Sequence, residues 1–172
     1  EIDISGSIGD AINVLGRDYA EAHAASLSKQ MNAATVREVR RIISNGITER
    51  QSIEDITKAL EQNTVFDTRR ARIVARTETA RAFTEGELQA MEQSDSVAGK
   101  KWLKAPMACP FCEQAAKATQ SGPIGVRDPF LQAGIISAGG RTMKLPEALM
   151  APPLHPNCRC GIRSVRRKIV DE

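Results

Sequence analysis

Four cysteines and one histidine form two short motifs in the C-terminal half of the chain. The first is Cys109-Pro110-Phe111-Cys112, and the second is His155-Pro156-Asn157-Cys158-Arg159-Cys160. Thiolate sulfur and imidazole nitrogen are the usual ligands of structural zinc, and they commonly occur in pairs a few residues apart. The spacing therefore predicts a zinc ion that joins two distant stretches of the chain.

The two motifs offer five donors, one more than a tetrahedral ion needs. We predict Cys109, Cys112, His155 and Cys158 as the ligands, because His155 and Cys158 are three residues apart and reach one ion from a single turn. Cys160 is the alternative fourth ligand, since in an extended chain its side chain projects to the face opposite that of Cys158.

Other interpretations of the cysteines are two disulfides, four free buried thiols, or a site that has lost its metal. Folding in a cytosol would keep the thiols reduced, and the histidine among them favours a metal. A catalytic zinc needs an open coordination position and a nearby carboxylate. The nearest carboxylate, Glu113, is expected on the outer surface of a short helix. We therefore predict a structural zinc and no catalytic residues.

The composition suits one globular unit or two small ones. The chain has 172 residues, of which 41% are hydrophobic and only 3% aromatic. Its core must therefore consist mainly of Ala, Val, Ile and Leu, which bury little area per residue, and a metal would help to stabilise it. No apolar run approaches the roughly 20 residues that span a bilayer, so no membrane association is expected. The first residue is Glu1, so we expect a fragment or a processed product.

Apolar residues at helical spacing predict four helices in the N-terminal half. The first runs over 10–32, the second opens with a Thr35–Glu38 capping box and ends at Asn45-Gly46, the third follows the N-cap Ser52, and the fourth runs over 69–93 after Asp67 or Thr68. The buried side of the fourth is predicted to consist of Ile73, Ala80, Phe83, Leu88 and Met91. This half is expected to be a helical bundle.

The composition changes after Ser96, where the helical period stops. Residues 100–104 are strand-like, and residues 160–166 alternate apolar and basic side chains, so the two are predicted to pair as an antiparallel ribbon. A helical turn follows Cys112, and the Gly- and Pro-rich segment 120–153 is predicted to be a loop with a turn at Gly139-Gly140.

The predicted fold class is α+β, mainly α. A helical region, residues 1–95, is followed by a small zinc-stapled module, residues 96–172, which contains the short antiparallel ribbon and a basic C-terminal tail.

Basic residues concentrate on the long helix and in the tail, although the net charge is only +3, well below that of a dedicated nucleic-acid binder. Two uses stay open. Arg76, Thr77 and Glu78 could join the helix to the metal unit through buried hydrogen bonds and ion pairs, or the basic residues could contact phosphates without reading sequence. The candidate DNA or partner contacts are Arg72, Arg76, Arg81, Arg163, Arg166, Arg167 and Lys168.

A resemblance to a known family rests on five features in this order. They are the segment Ile73–Ala82 (IVARTETARA), Gly86, Trp102, the Cys-Pro-Phe-Cys pair, and the segment Pro153–Cys160 (PLHPNCRC). Over roughly residues 69–163 the chain resembles the phage Mu F-like minor head proteins, which are head morphogenesis proteins of tailed phages and prophages. The first 60 or so residues do not contribute to the resemblance.

The resemblance implies a non-enzymatic virion component, present in few copies and assembled in the host cytoplasm near the portal. The implied partners are the portal and major capsid proteins, with backbone contacts to phage DNA as a further possibility. Family members often carry an acidic residue just before the first cysteine, where this chain has Ala105-Pro106-Met107-Ala108, which further weakens a catalytic interpretation. The alternatives are a zinc-containing DNA-binding module that contacts the packaged genome, and a metal-dependent hydrolase or toxin domain.

Overall fold

A computed structural model describes residues 8–23 and 31–167, and all structural statements refer to these residues. They form five helices and two small antiparallel sheets, which confirms the predicted α+β, mainly α, class. In chain order the elements are α1 (Ile8–His23), α2 (Ala33–Thr48), α3 (Ile53–Asn63), α4 (Thr68–Glu92), β1 (Val97–Leu103), α5 (Pro110–Lys117), β2 (Gly134–Ala138), β3 (Arg141–Leu145) and β4 (Gly161–Arg166).

Two of the predicted helix starts are confirmed and one is wrong. Ser52 caps α3 by accepting a hydrogen bond from the Asp55 N–H (3.1 Å), and Asp67 caps α4. The capping box at Thr35 does not begin α2. Asn32 is the N-cap, and its Oδ1 accepts from the Thr35 N–H at 2.8 Å, so the helix begins about one turn before the predicted cap at Thr35.

The ends of the first two helices also differ from prediction. Met31 and Asn32 are not helical, so a single helix over 10–32 is wrong at its C-terminal end, and residues 24–30, including Leu27, lie outside the described residues. Helix α2 passes Gly46 and ends at Thr48. Gly46 lies inside the helix, where its lack of a side chain allows Ile56 of α3 to pack closely. A Cβ on Gly46 would lie 2.6 Å from Ile56 Cγ1.

The long helix α4 is the centre of the bundle and packs against α1, α2 and α3. Its crossing with α1 is close because both helices have glycine there. A Cβ on Gly86 would lie 2.7 Å from the carbonyl oxygen of Ile12, and one on Gly16 would lie 3.0 Å from that of Ala82. Gly16 therefore serves the packing, although it lowers helix propensity.

The buried side of α4 is only partly the predicted one. Leu88 and Met91 are buried, whereas Ile73, Ala80 and Phe83 are half-buried. Polar side chains occupy much of the buried surface instead, because α4 is covered by packing on several sides. The buried polar residues of the helix are Thr77, Glu78, Thr79 and Thr84.

The ribbon is confirmed, and the long predicted loop is not a loop throughout. Strands β1 and β4 pair antiparallel, with Trp102 opposite Ile162. Within the segment predicted as loop, β2 and β3 form a hairpin. Gly139 and Gly140 turn the chain, both with positive φ (57° and 71°), as a two-residue hairpin connection requires.

Two hydrophobic clusters follow this arrangement. The bundle cluster consists of Val39, Ile42, Ile43, Ile47, Ile56 and Leu60 with Phe66 and alanines of α1 and α4. The module cluster contains Trp102, Phe111, Phe130 and three of the cysteines, and α4 contributes Leu88 and Met91 to it. The division into regions 1–95 and 96–172 remains a prediction. No helix among the described residues is both long and apolar enough to cross a membrane.

Candidate metal centre

The first cysteine pair lies at the start of α5. Cys109 is the N-cap residue in extended conformation, Pro110 follows at the first helical position, and Cys112 lies in the first turn. Proline suits this position because it has no N–H to leave unpaired and its φ is already helical. The helix start therefore fixes both sulfurs, and its free amides favour negative charge near them.

The second motif forms a tight turn. The Cys158 N–H bonds to the His155 carbonyl oxygen at 3.1 Å, and Asn157 has a left-handed φ of 61°. Proline at the second position and asparagine with positive φ at the third are the pattern of a type II turn. The sequence His-Pro-Asn-Cys thus folds locally so that His155 and Cys158 stand at the two ends of one turn.

The two motifs meet, and all five predicted donors are brought together. The His155 Nε2 lies 3.2 Å from the Cys109 sulfur and 3.3 Å from the Cys112 sulfur, and the Cys112 and Cys158 sulfurs are 3.6 Å apart. Two groups of donor atoms result, one of Cys109, Cys112 and His155, the other of Cys112, Cys158 and Cys160, each within 4.8 Å of one another. These groups are close enough to hold a metal ion.

None of the four cysteines forms a disulfide. The Cys112 and Cys158 sulfurs are much farther apart than the roughly 2.05 Å of a disulfide bond. Cys160 does not project away from Cys158, as the extended-chain argument supposed. The expectation was wrong because residues two apart in an extended chain lie on the same face, so Cys158 and Cys160 can both face Cys112.

Hydrogen bonds order the donor atoms without a metal. The His155 Nδ1 lies 2.8 Å from the Pro156 carbonyl oxygen, so a proton on Nδ1 leaves the Nε2 lone pair facing the sulfurs. The hydrogen bond from the Cys112 thiol, backbone groups of Cys160 and Leu154, and His155 lower the pKa of Cys158 to about 5. The same hydrogen bond and burial raise the pKa of Cys112. Cys158 is therefore the more readily ionised sulfur of this hydrogen-bonded pair.

Helix α4 holds the segment that carries the second motif. The Asn157 N–H donates to Thr77 Oγ1 (2.8 Å), and Arg76 donates to Asn157 Oδ1 (2.9 Å). Two turns along the helix, the Thr84 hydroxyl donates to the Pro152 carbonyl oxygen. These hydrogen bonds support the interpretation in which Arg76 and Thr77 join α4 to the metal unit. Glu78, in contrast, is buried beside Arg81 of its own helix, 3.9 Å away.

The sequence did not single out Lys100, which is completely buried beside this segment. Its Nζ donates to the Met150 carbonyl oxygen at 2.7 Å and lies 5.0 Å from the centre of the Phe130 ring. Burial lowers the pKa of Lys100. The sequence contained one signal that Lys100 is buried: in the predicted strand 100–104 it lies on the same face as Trp102.

The remaining predicted contacts are divided between two elements. On α4, Arg72 is exposed, Arg76 bonds to Asn157 and Arg81 lies near Glu78. On and just after β4, Arg163, Arg166 and Arg167 are exposed, whereas Lys168 lies outside the described residues. Glu113 is also exposed and pairs with Lys104 at 3.4 Å.

The comparisons with known proteins agree with the motifs. The family described as "Phage Mu protein F like protein" matches residues 37–163, which is more than half of the chain and begins well before the roughly residue 69 expected. The chain belongs to this family, and thus to a class of phage head morphogenesis proteins found as virion components. No curated protein and no solved structure gives a significant match to the chain.

Proposed function

We propose that this chain is a minor head protein that acts near the portal during head assembly of a tailed phage or prophage, and that it catalyses no reaction. Family membership supports the role in the head. The proposal of a non-enzymatic role is carried by one observation: every sulfur and imidazole donor of the cluster faces another donor of the cluster. The two groups share Cys112 and together offer five donors, one more than a tetrahedral ion needs, so we propose that the protein supplies all four ligands and leaves no position for a substrate.

The ion we propose is zinc in a structural role. In a tetrahedral zinc site the sulfurs are about 3.8 Å apart, and sulfur and nitrogen about 3.5 Å apart, given bonds of about 2.3 Å and 2.0 Å. The distances here are 3.6 Å between the Cys112 and Cys158 sulfurs, and 3.2 and 3.3 Å from His155 to the sulfurs of the first motif, close to these values. Cys158 is not in the group of Cys109, Cys112 and His155, so binding one ion with these four ligands requires its sulfur to move toward that group. Thiolates and imidazole also select zinc over magnesium or calcium. When bound, the ion would join α5 to the His155–Cys158 turn.

We propose Cys109, Cys112, His155 and Cys158 as the ligands, with Cys160 as the alternative fourth. Cys112 belongs to both groups of donors, so it is the ligand that either assignment requires. His155 is supported by its short distances to both sulfurs of the first motif. Cys160 is supported by its closeness to Cys112 and Cys158 and by its burial.

Elemental analysis of the purified chain tests the metal. We expect one zinc per chain, and we expect His155→Ala to release it while Cys160→Ser retains it. Retention in His155→Ala with release from Cys160→Ser would exchange the two assignments. A metal-free protein whose Trp102 fluorescence and melting do not respond to zinc or to a chelator would refute a structural zinc.

The proposed place in the virion has a separate test. Quantitative mass spectrometry of purified heads from the phage or prophage that encodes the chain should find it at far fewer copies than the major capsid protein. Heads assembled without the chain should retain the portal ring but show an assembly defect. Complete heads of normal infectivity in its absence would contradict the role.

Direct binding of the packaged genome is less well supported. Arg76 and Arg81, two of the candidate contacts on α4, are engaged by Asn157 and Glu78. A hydrolase is less well supported still, because the nearby carboxylate of Glu113 is exposed and paired with Lys104.

A further inference from the structure

A groove lies between α1, the C-terminal part of α4 and the strand β4. Its volume is about 330 Å³, and more of its lining is apolar than polar. Ile12 and Leu15 of α1, Met91 of α4 and Ile162 of β4 form much of this lining. We call this surface the β4 groove.

The register of the ribbon shows that the edge of β4 along this groove is free. The N–H and C=O of Lys100 bond to Ile124, which lies on the side of β1 away from β4. Lys100 is opposite Ser164, and Trp102 is opposite Ile162, so both pairs are of the non-hydrogen-bonded kind. The amides of Ile162 and Ser164 therefore point away from β1, and neither forms a backbone hydrogen bond within residues 8–23 and 31–167.

A free strand edge along an apolar groove is the arrangement to which extended peptides add as a further strand. Backbone hydrogen bonds supply affinity in this mode, and alternate side chains supply specificity. Here the two faces of an added strand would meet different surroundings. One face would lie beside Ile162, over the apolar lining, and the other beside the exposed Arg163.

We propose that the β4 groove binds an extended segment of a partner protein in which apolar and acidic residues alternate. The apolar side chains would cover Ile12, Leu15 and Met91, and the acidic ones would face Arg163. Arg166 is on the face of Ile162, at the end of the strand. Glu87 also lines the groove, but burial raises its pKa, so it opposes an acidic segment less than an exposed carboxylate would. This inference depends on neither the metal nor the proposed place near the portal.

Binding of synthetic peptides to the whole chain, measured by fluorescence anisotropy, tests the proposal. The probe is a labelled eight-residue peptide that alternates valine and glutamate, and the comparison peptides replace glutamate by threonine or lysine. We expect saturable binding that weakens from glutamate to threonine to lysine. No saturable binding of the glutamate peptide, or the same affinity for the lysine peptide, would overturn the proposal.

A substitution at the free edge separates strand addition from simple charge attraction. Ser164→Pro removes the outward N–H, which proline on an edge strand tolerates, and should weaken binding about tenfold or more. The matched control Ser164→Ala retains the N–H and should bind within about twofold of the unchanged chain. Equal binding by Ser164→Pro, with Trp102 fluorescence unchanged, would refute an added strand.

A peptide modification gives the same test if Ser164→Pro fails to fold. Of two valine–glutamate peptides, one is N-methylated at every valine and the other at every glutamate, so each has one blocked edge. We expect one of them to bind the unchanged chain and the other not. Binding by both would show that backbone hydrogen bonds are not used.

Other occupants of the groove give distinct results, and each would overturn the proposal. Peptide binding that appears only after removal of residues 168–172 would assign the edge to the chain itself. Dimerisation in sedimentation that Ser164→Pro abolishes would assign it to a second copy. A short DNA duplex that binds more tightly than the peptide, and needs Arg163 but not the Ser164 N–H, would assign the surface to nucleic acid.

Discussion

The helical bundle and the module are stabilised in different ways. The bundle cluster is mainly aliphatic, α2, α3 and α4 follow one another with short connections, and Asn32, Ser52 and Asp67 cap these three helices. The module cluster depends on a few large side chains and on cysteines, and its two Cys-containing motifs are separated by the hairpin and its loops. Closing such a long segment costs chain entropy that local contacts do not offset. The comparison leads us to propose that the bundle is stable by ordinary packing, whereas the module depends on a bound metal and on its attachment to α4.

The largest expected effect is that of Cys112→Ser, which removes the donor common to both groups. Structural zinc contributes about 10 to 16 kcal/mol of apparent binding free energy in small domains, more than most domains have to spare. We expect the metal to be lost and the module to unfold. The measurements are metal content, the near-ultraviolet signal of Trp102 and the helical circular dichroism.

The same variant tests the division at about residue 95. Most of the helical signal should persist and melt in a separate transition, because α1 to α4 have their own cluster. Simultaneous loss of the helical signal and the Trp102 signal would mean that the bundle is not independent. If Cys112→Ser had the same metal content, Trp102 signal and helical signal as the unchanged chain, the proposed difference between the bundle and the module would be contradicted.

A change within the bundle should leave the metal in place. In Gly86→Ala the new Cβ would meet the Ile12 carbonyl oxygen at 2.7 Å and the Gly16 nitrogen at 2.8 Å, so α1 and α4 must move apart. We expect a loss of about 1–3 kcal/mol in the free energy of unfolding, measured by urea denaturation followed at the helical signal. Gly122→Ala is the control, because nothing lies within 4 Å of its added Cβ.

The contact between the two regions is tested by Thr77→Val, which retains the shape of the side chain. The Asn157 N–H loses its acceptor, Thr77 Oγ1, at a buried position. We expect a loss of about 1–2 kcal/mol and a zinc affinity about tenfold lower, because the turn that carries His155 is held less firmly. Thr48→Val, on the exposed side of α2, should change neither value, and equal effects of the two variants would contradict the role of Thr77.

The smallest expected effect concerns pH and Lys100. Because burial lowers the pKa of Lys100, the unfolded chain binds more protons than the folded one between that lowered pKa and the ordinary value of about 10.4. Stability should therefore rise with pH across this window. Lys100→Met should lack this rise when both are compared in denaturant series from pH 7 to 10 with zinc present, while Lys101→Met should retain it.

The sequence predicted features that depend on neighbouring residues. The caps Ser52 and Asp67 and the pairing of β1 with β4 follow from side chains within a turn or a strand. The hairpin was missed although Gly139-Gly140 was recognised as a turn, because strands β2 and β3 are short and several of their side chains are exposed. Thr35 was predicted to begin α2 from a local capping-box pattern, whereas Asn32 is the cap.

The donors were found from the sequence because cysteine and histidine are rare and closely spaced. The residues that hold them were harder to find, since Thr84, Asn157 and Lys100 act through backbone carbonyls and amides far along the chain. Thr77 and Arg76 were named only as one of two options. Contacts of this kind depend on a packed arrangement that no local pattern encodes.

Helix α4 contributes side chains to both clusters, so it connects the two regions mechanically. A helix of 25 residues is a rod of about 37 Å, which bends little under small loads. Thr77 and Thr84 form hydrogen bonds with the segment that carries His155, and Gly86 allows α4 to pack closely against α1. We therefore expect a force applied to one region to displace the other through α4.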